Sequence, residues 1–205
     1  MTMEEYYGAS LVKLNYAEQI LKKTASTYTG PRMLDGVQPI LYITTRIKHP
    51  KSMVEKLERY QLATDCETAL HTMHDAVGMR VICSFADDVY AVAEWLKKQE
   101  AFTVVQIKDY IAAPKPNGYR SLHLIVRMND PALDGLSAEI QIRTIATDFW
   151  AALEHQIKYK RQVMYETVMR QELKRCADEI ASLDLSMQTL RDILHGDSRE
   201  NDMSA

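Results

Sequence analysis

Residues 109–123 read Asp-Tyr-Ile-Ala-Ala-Pro-Lys-Pro-Asn-Gly-Tyr-Arg-Ser-Leu-His and lie between two strand-like runs. A connection needs only turn residues such as Pro, Asn and Gly. This one also carries Lys115, Tyr119, Arg120 and His123, a set suited to gripping something flat and anionic, such as a nucleotide. Tyr119 has the ring to stack on a base and Lys115 the charge to meet phosphate; the plainer reading of Tyr119 is a half-buried ring at a strand start.

Three further blocks have residue types that do chemistry. In Arg46-Ile-Lys48-His-Pro-Lys-Ser52, continuing to Lys56 and Arg59, strand alternation projects Arg46 and Lys48 from one face just before a helix start. Helix N-termini favour anions, so the block suits a polyphosphate; a solvated basic edge explains it equally well. In His74-Asp75-Ala-Val-Gly78-Met-Arg80 an acid stands at a strand entrance, where it is placed to hold magnesium, which takes one or two carboxylates plus phosphate oxygens. An ordinary helix-to-strand turn uses the same residues. The His74-Asp75 pair also matches part of a metal phosphohydrolase site, but the additional His and Asp ligands such a site needs are missing. In Glu139-Ile-Gln141-Ile-Arg143-Thr144 three polar side chains share a face of a central strand, which is costly unless they line a cavity or satisfy one another. A carboxylate there can serve as second metal ligand or general base, and its companion Asp75 would reach it only through the fold.

The elements that must position these blocks are legible as periodicity. Helices are expected at about 4–24, 52–60, 67–73, 87–99, from 145 onward, and 165–195. Strands are expected at about 40–48, 78–85, 102–111, 121–128 and 136–143. In the first strand Leu41, Ile43, Thr45 and Ile47 are assigned to one face and Tyr42, Thr44, Arg46 and Lys48 to the other. The pattern predicts an α+β fold with one mixed five-stranded sheet flanked by helices. In the last helix Leu173, Cys176, Ile180, Leu183, Met187, Leu190 and Leu194 step by threes and fours, a coiled-coil-like seam or a stripe that packs on its own domain. Four segments are expected: an N-terminal helix (1–30), a catalytic domain (31–160), a C-terminal helical oligomerisation segment (161–195) and a disordered tail (196–205).

With 205 residues, 46% hydrophobic and 26% charged, the chain has room for one domain with a sizeable core plus an appendage. The net charge of −3 argues against a general nucleic-acid coat while allowing a local basic pocket. Cys66, Cys83 and Cys176 have no metal or disulfide spacing, and Cys83 reads as core. Neither a signal peptide nor a membrane-length segment is visible, so a cytoplasmic setting and no membrane partner are expected.

Taken in order, Arg46-x-Lys48-x-x-x-Ser52-x-x-x-Lys56, Asp75-x-x-Gly78-x-Arg80, Lys108-Asp-Tyr-Ile, Pro114-Lys115-x-Asn117-Gly118-Tyr119-Arg120-Ser121-Leu122-His123, Glu139-Ile-Gln141-Ile-Arg143-Thr144 and Trp150-Ala151-x-x-Glu154-His155 resemble the synthetase domain of the Rel/Spo family, the alarmone synthetases. One block alone is weak; six in register over about residues 40–160 are specific. The resemblance implies a nucleotidyltransferase fold of the DNA polymerase beta type in a stand-alone small alarmone synthetase. It implies transfer of the β,γ-pyrophosphate of ATP to the 3′-hydroxyl of GDP or GTP, with Mg2+ as cofactor. By motif, Arg46 and Arg80 would sandwich adenine, and Lys48, Ser52, Lys56 and Arg59 would hold the ATP phosphates. Asp75 and Glu139 would bind magnesium, and Glu139 would take the 3′-proton. Tyr119 would stack on guanine and Asn117 read its edge, with Ala151 also on the acceptor side. Lys108, Lys115 and His123 would attend phosphates, and Gln141 and Arg143 would support Glu139.

Bifunctional members carry an Arg where this chain has Gln106, so the resemblance leaves the choice of GDP or GTP open. It also implies a homo-oligomer, often a tetramer, built through terminal helices. Some members are activated by their own alarmone product at a cleft between subunits, for which Lys22, Lys23, Tyr42 and Thr44 are weak candidates; single-stranded RNA is a further partner to consider. Two alternatives keep fewer of these features: the same donor with an adenosine nucleotide or tRNA 3′ end as acceptor, and a non-catalytic nucleotide- or RNA-binding regulator.

Overall fold

The computed structural model describes residues 1–30, 38–159 and 166–202. Five strands form one mixed sheet in the order β1-β2-β5-β4-β3. They are β1 (Ile40–Ile47), β2 (Val77–Cys83), β3 (Phe102–Asp109), β4 (Leu122–Met128) and β5 (Ser137–Thr144). Only the central pair β2–β5 is parallel; β1–β2, β5–β4 and β4–β3 are antiparallel. The α+β sheet expected from periodicity is the one found.

Alternation divides the sheet into two chemically different faces. Val77, Met79 and Val81 of β2, Ala138, Ile140 and Ile142 of β5, and Leu122, Leu124 and Val126 of β4 point one way and are buried. Against them pack Leu14, Ala17 and Leu21 of α2 (Ser10–Ser26) and Val89, Val92 and Leu96 of α5 (Ala86–Leu96), completing one core. On the opposite face the register lines up Thr44, Arg80, Gln141, His123 and Lys108 in a row across all five strands. The neighbouring row holds Arg46, Gly78, Glu139 and Ile125. The polar face thus collects every block singled out by composition.

Local chemistry shifts several expected boundaries. The single N-terminal helix is two, α1 (Met3–Tyr7) and α2, because Gly8 ends the first at φ 49°, a left-handed value that glycine tolerates. Pro50 does more than stop β1: it opens α3 (Pro50–Arg59) behind His49 as N-cap, so this helix starts earlier than about 52. Tyr60, placed on its apolar face, is exposed. Leu41 leaves its assigned face because of a bulge between Ile40 and Tyr42, and it is exposed. Helix α4 (Cys66–Thr72) and the buried Cys83 are as expected.

Helix α6 (Ile145–Tyr159) follows β5 directly, and α7 runs Glu166–Asp202. The helix therefore continues past Gly196, where a disordered tail was expected; 203–205, and the boundaries placed at 31 and 160–161, lie outside the described residues. The seam of α7 divides in two. Leu173, Cys176 and Ile180 are half-buried beside α6, whereas Leu183, Met187, Leu190 and Leu194 are exposed, so the reading in which the whole stripe packs on its own domain does not hold.

Beside that half-buried apolar stretch, α7 is also held by polar contacts. Arg191 donates to both oxygens of Asp87 at 2.9 and 2.6 Å and lies over the Phe85 ring, fixing α7 to the start of α5. Further up, Arg120 Nη2 donates to Asp178 at 2.9 Å and Arg120 Nη1 to the Ala177 carbonyl at 3.2 Å, fastening the 109–123 loop to the helix. Gly118 makes this approach possible: its φ is +88°, and a Cβ there would stand 2.5 Å from the Ala177 Cβ.

Left-handed strain and overpacking each cost a non-glycine residue about 1–2 kcal/mol or more. Gly118→Ala is therefore expected to lower stability by about 2–4 kcal/mol in a denaturant titration and to weaken hydrogen-exchange protection of the middle of α7. Unchanged stability and protection would show that the loop does not depend on this contact.

Candidate active site

One half of the polar face is built by β1, α3 and the turn before β2. Arg46 leaves the end of β1 above Gly78. Lys48 follows the strand, its backbone N–H donating to the Ala76 carbonyl at 2.8 Å and its carbonyl accepting from the Tyr7 hydroxyl at 2.7 Å, so α1 clamps this segment. Spacing on α3 puts Ser52, Lys56 and Arg59 along one flank. Lys48 Nζ lies 2.7 Å from Asp75 Oδ2, and Lys56 Nζ lies 2.7 Å from Asp75 Oδ1. Burial pushes the Asp75 carboxyl up, but the hydrogen bonds and charges of the two lysines outweigh it and hold it below the ordinary range. Each carboxylate oxygen is thus occupied by a lysine ammonium, Oδ2 by Lys48 and Oδ1 by Lys56.

Arg46, Asp75, Gly78, Arg80, Glu139 and Gln141 line one cavity. Asp75 and Glu139, distant in sequence, thus border the same space. His123 Nδ1 is 3.0 Å from Glu139 Oε1, and Gln141 Nε2 donates to Oε2 at 2.7 Å. Burial would raise the Glu139 carboxyl; His123, Gln141 and the Lys56 charge overcome it and lower it to about 2. Glu139 is therefore ionised at neutral pH, the form that accepts a proton or binds a cation.

The other half is the 109–123 loop with α6. Tyr119 is half-buried; its hydroxyl meets His123 Nε2 at 2.8 Å and accepts from Arg143. Lys115 Nζ stands 4.4 Å from the Tyr110 ring centre and 4.9 Å from that of Tyr119. Burial, opposed by Glu139 and aided by Lys108, holds the Lys115 ammonium below its ordinary value. Asn117 Oδ1 accepts from the Tyr119 N–H at 3.3 Å, and its Nδ2 donates to Glu154 of α6 at 3.0 Å. Ala151 is three residues before Glu154, on the same flank of α6. Lys108 pairs opposite His123 on edge strand β3. Both ring nitrogens of His123 are engaged, by Glu139 and Tyr119, so it sits behind the cavity as a brace and would reach a phosphate only by giving up one of them.

Arg143 binds the halves together. It donates to Gln141 Oε1 at 2.9 Å, to Ser121 Oγ at 3.3 Å and to Asp148 Oδ1 at 3.1 Å, besides Tyr119. Sequence reasoning misses Asp148, a buried acid on α6 that also pairs with Arg80 Nη1 at 3.2 Å and accepts from the Tyr42 hydroxyl at 3.1 Å. Nothing in the local pattern separates it from a solvated helix aspartate. Within one copy Tyr42 and Thr44 lie on this face, whereas Lys23 borders a separate groove with Tyr16 and Lys98.

Among the described residues no group of three or more His, Cys, Asp or Glu is arranged to hold a metal. That excludes an all-protein cage among them but suits magnesium, which takes one or two carboxylates and completes its shell with water and phosphate. Asp75 and Glu139, two carboxylates bordering one cavity, supply the donor set such an ion takes once a lysine on Asp75 turns to phosphate.

Residues 45–164 match the region found in RelA and SpoT proteins, over half of the chain. The chain belongs to the RelA/SpoT family. It is 43% identical over 158 residues to GTP pyrophosphokinase YwaC of Bacillus subtilis, covering 76% of this chain and 75% of that one. Its fold matches small alarmone synthetase 1 from Bacillus subtilis bound to its product pppGpp with a TM-score of 0.80 at 35% identity, over 90% of this chain and 96% of that one. The same synthetase bound to AMPCPP gives a TM-score of 0.72 at 33% identity, over 91% and 96%. No helix among the described residues is long and apolar enough to cross a membrane, as composition implied.

The lowered Glu139 carboxyl has a consequence for stability. Its contribution is full above the ordinary value of 4.5 and is lost as pH falls through about 2. The stability difference between wild type and Glu139→Gln is expected to be constant above about pH 5 and to shrink toward pH 2 in urea titrations. A difference independent of pH would show that Glu139 titrates normally.

Proposed function

We propose that the protein transfers the β,γ-pyrophosphate of ATP to the ribose 3′-hydroxyl of GDP or GTP, yielding AMP and ppGpp or pppGpp. The observation that carries this reading is the position of Glu139, between a cationic half (Arg46, Lys48, Lys56, Arg80) and an aromatic half (Lys115, Asn117, Tyr119) of one sheet face. Small alarmone synthetase 1 from Bacillus subtilis, solved with pppGpp and with AMPCPP, agrees with it.

On this reading Arg46 and Arg80 flank the adenine, and Lys48, Ser52, Lys56 and Arg59 line the ATP phosphates. Lys48 and Lys56 are held by Asp75 where the phosphates arrive, so few charges need to move on binding. Tyr119 supplies the guanine shelf, Asn117 the contact to the base edge, and Ala151 the small side chain beside it. Lys115 lies over the Tyr119 ring and is displaced toward phosphate, with Lys108, when guanine stacks. Gln141, Arg143 and His123 hold Glu139 and Tyr119 in place.

The 3′-oxygen attacks the β-phosphorus, the bond to the α,β-bridging oxygen breaks, and AMP leaves. Glu139, ionised and fixed by His123 and Gln141, receives the hydroxyl proton. Asp75 and Glu139 would hold Mg2+, which neutralises phosphate charge when bound. Ordinary phosphoryl-type transfer is mostly positioning and charge neutralisation, which is what this face supplies.

The exposed stripe Leu183, Met187, Leu190 and Leu194 on α7, continuous with the apolar groove of Phe149, Leu153 and Ile157 on α6, is read as the contact through which copies assemble, in a tetramer.

Incubation with ATP, GDP or GTP and Mg2+ should give AMP and a 3′-pyrophosphorylated guanosine nucleotide in equal amounts. Glu139→Gln should reduce kcat by at least about 100-fold while ATP-analogue binding stays within a few-fold. Product with an adenosine or tRNA acceptor alone, or full turnover by the variant, would contradict the acceptor or the base assignment respectively.

A further inference from the structure

We propose that Asp148 is a positioning residue that couples the two nucleotide subsites, so that ATP binding tightens the guanosine acceptor and the reverse. The proposal rests on the synthetase reading above, which puts Arg80 with the donor and Tyr119 with the acceptor.

The geometry centres on one oxygen. Asp148 Oδ1 lies 3.1 Å from Arg143 Nη1 and 3.2 Å from Arg80 Nη1, while Oδ2 accepts from the Tyr42 hydroxyl at 3.1 Å. Arg143 and Arg80 are both on the polar sheet face, in adjacent rows. Two guanidiniums this close repel, and burial together with Arg143 pushes Arg80 below its ordinary value while Asp148 opposes the shift. The carboxylate is therefore the counter-charge that lets both arginines stand on the face.

Each arginine leads to a different substrate. Arg80 lines the donor cavity, and its buried Nε has no hydrogen-bond partner among the described residues, so the side chain is held from one end only. Arg143 reaches Tyr119 and Gln141, and Gln141 reaches Glu139. A nucleotide base stacking on Arg80 draws its guanidinium from the shared oxygen. Oδ1 then serves Arg143 alone, which firms the tether on the Tyr119 ring. By linkage, a guanine that orders Tyr119 and Arg143 frees Arg80 for the donor to the same extent.

The test is binding of a non-hydrolysable ATP analogue, with Mg2+, in the absence and presence of saturating GDP. Wild type is expected to bind the analogue at least about 5-fold tighter with GDP, the lower end of ordinary allosteric coupling. In Asp148→Asn the ratio should fall to about one, and the KM of both nucleotides should rise. A variant that binds both more weakly but keeps the wild-type ratio would make Asp148 merely structural and overturn the proposal, as would a wild type without coupling. If Asp148→Asn fails to fold, Tyr42→Phe, which removes only the Oδ2 hydrogen bond, should lower the ratio by about 2-fold; an unchanged ratio there would overturn it equally. Wild type that binds both nucleotides yet forms no product would instead reject the synthetase reading.

Discussion

The constraint on which this fold turns is like-charge repulsion. To bring two polyanions together, a protein must hold several cations in a small volume before either ligand arrives. Buried cations are costly unless each has a counter-charge. The polar sheet face answers with three acids: Asp75 between Lys48 and Lys56, Asp148 between Arg80 and Arg143, and Glu139 against His123 and Gln141. Asp75 and Asp148 hold their cations without silencing them, because each ammonium or guanidinium keeps further N–H donors for a ligand.

The rest of the architecture serves this face. The opposite side of the sheet is a dry core under α2 and α5, which fixes strand register and so decides which polar residues stand in one row. A shift of one residue in β5 would send Glu139, Gln141 and Arg143 into the core. Helix α7 acts at a distance: Asp178 and Ala177 brace the loop that carries Asn117 and Tyr119, and Arg191 anchors the far end of the helix on Asp87. The opposite stripe of the same helix is exposed and apolar.

Much of this was legible in the amino-acid order. Alternation in Glu139–Arg143 gave the polar face, and the density of turn residues with cations in 114–123 marked the loop. What escaped has a common physical cause: it depends on contacts made between distant segments. The bulge that exposes Leu41 answers to pairing with β2, not to the β1 sequence. The role of Gly118 depends on Ala177, some sixty residues on, and only the folded distance reveals it. Asp148 looks like any helix acid until Arg80 and Arg143 arrive from two strands. That both ring nitrogens of His123 meet Glu139 and Tyr119 is likewise visible only in the folded chain.

The most direct measurement is a crystal structure of the protein with Mg2+, a non-hydrolysable ATP analogue and GDP bound together. The account predicts adenine between Arg46 and Arg80, guanine on Tyr119, and the acceptor 3′-oxygen within hydrogen-bonding reach of Glu139. Nucleotides bound away from this face, or a 3′-oxygen directed away from Glu139, would contradict it.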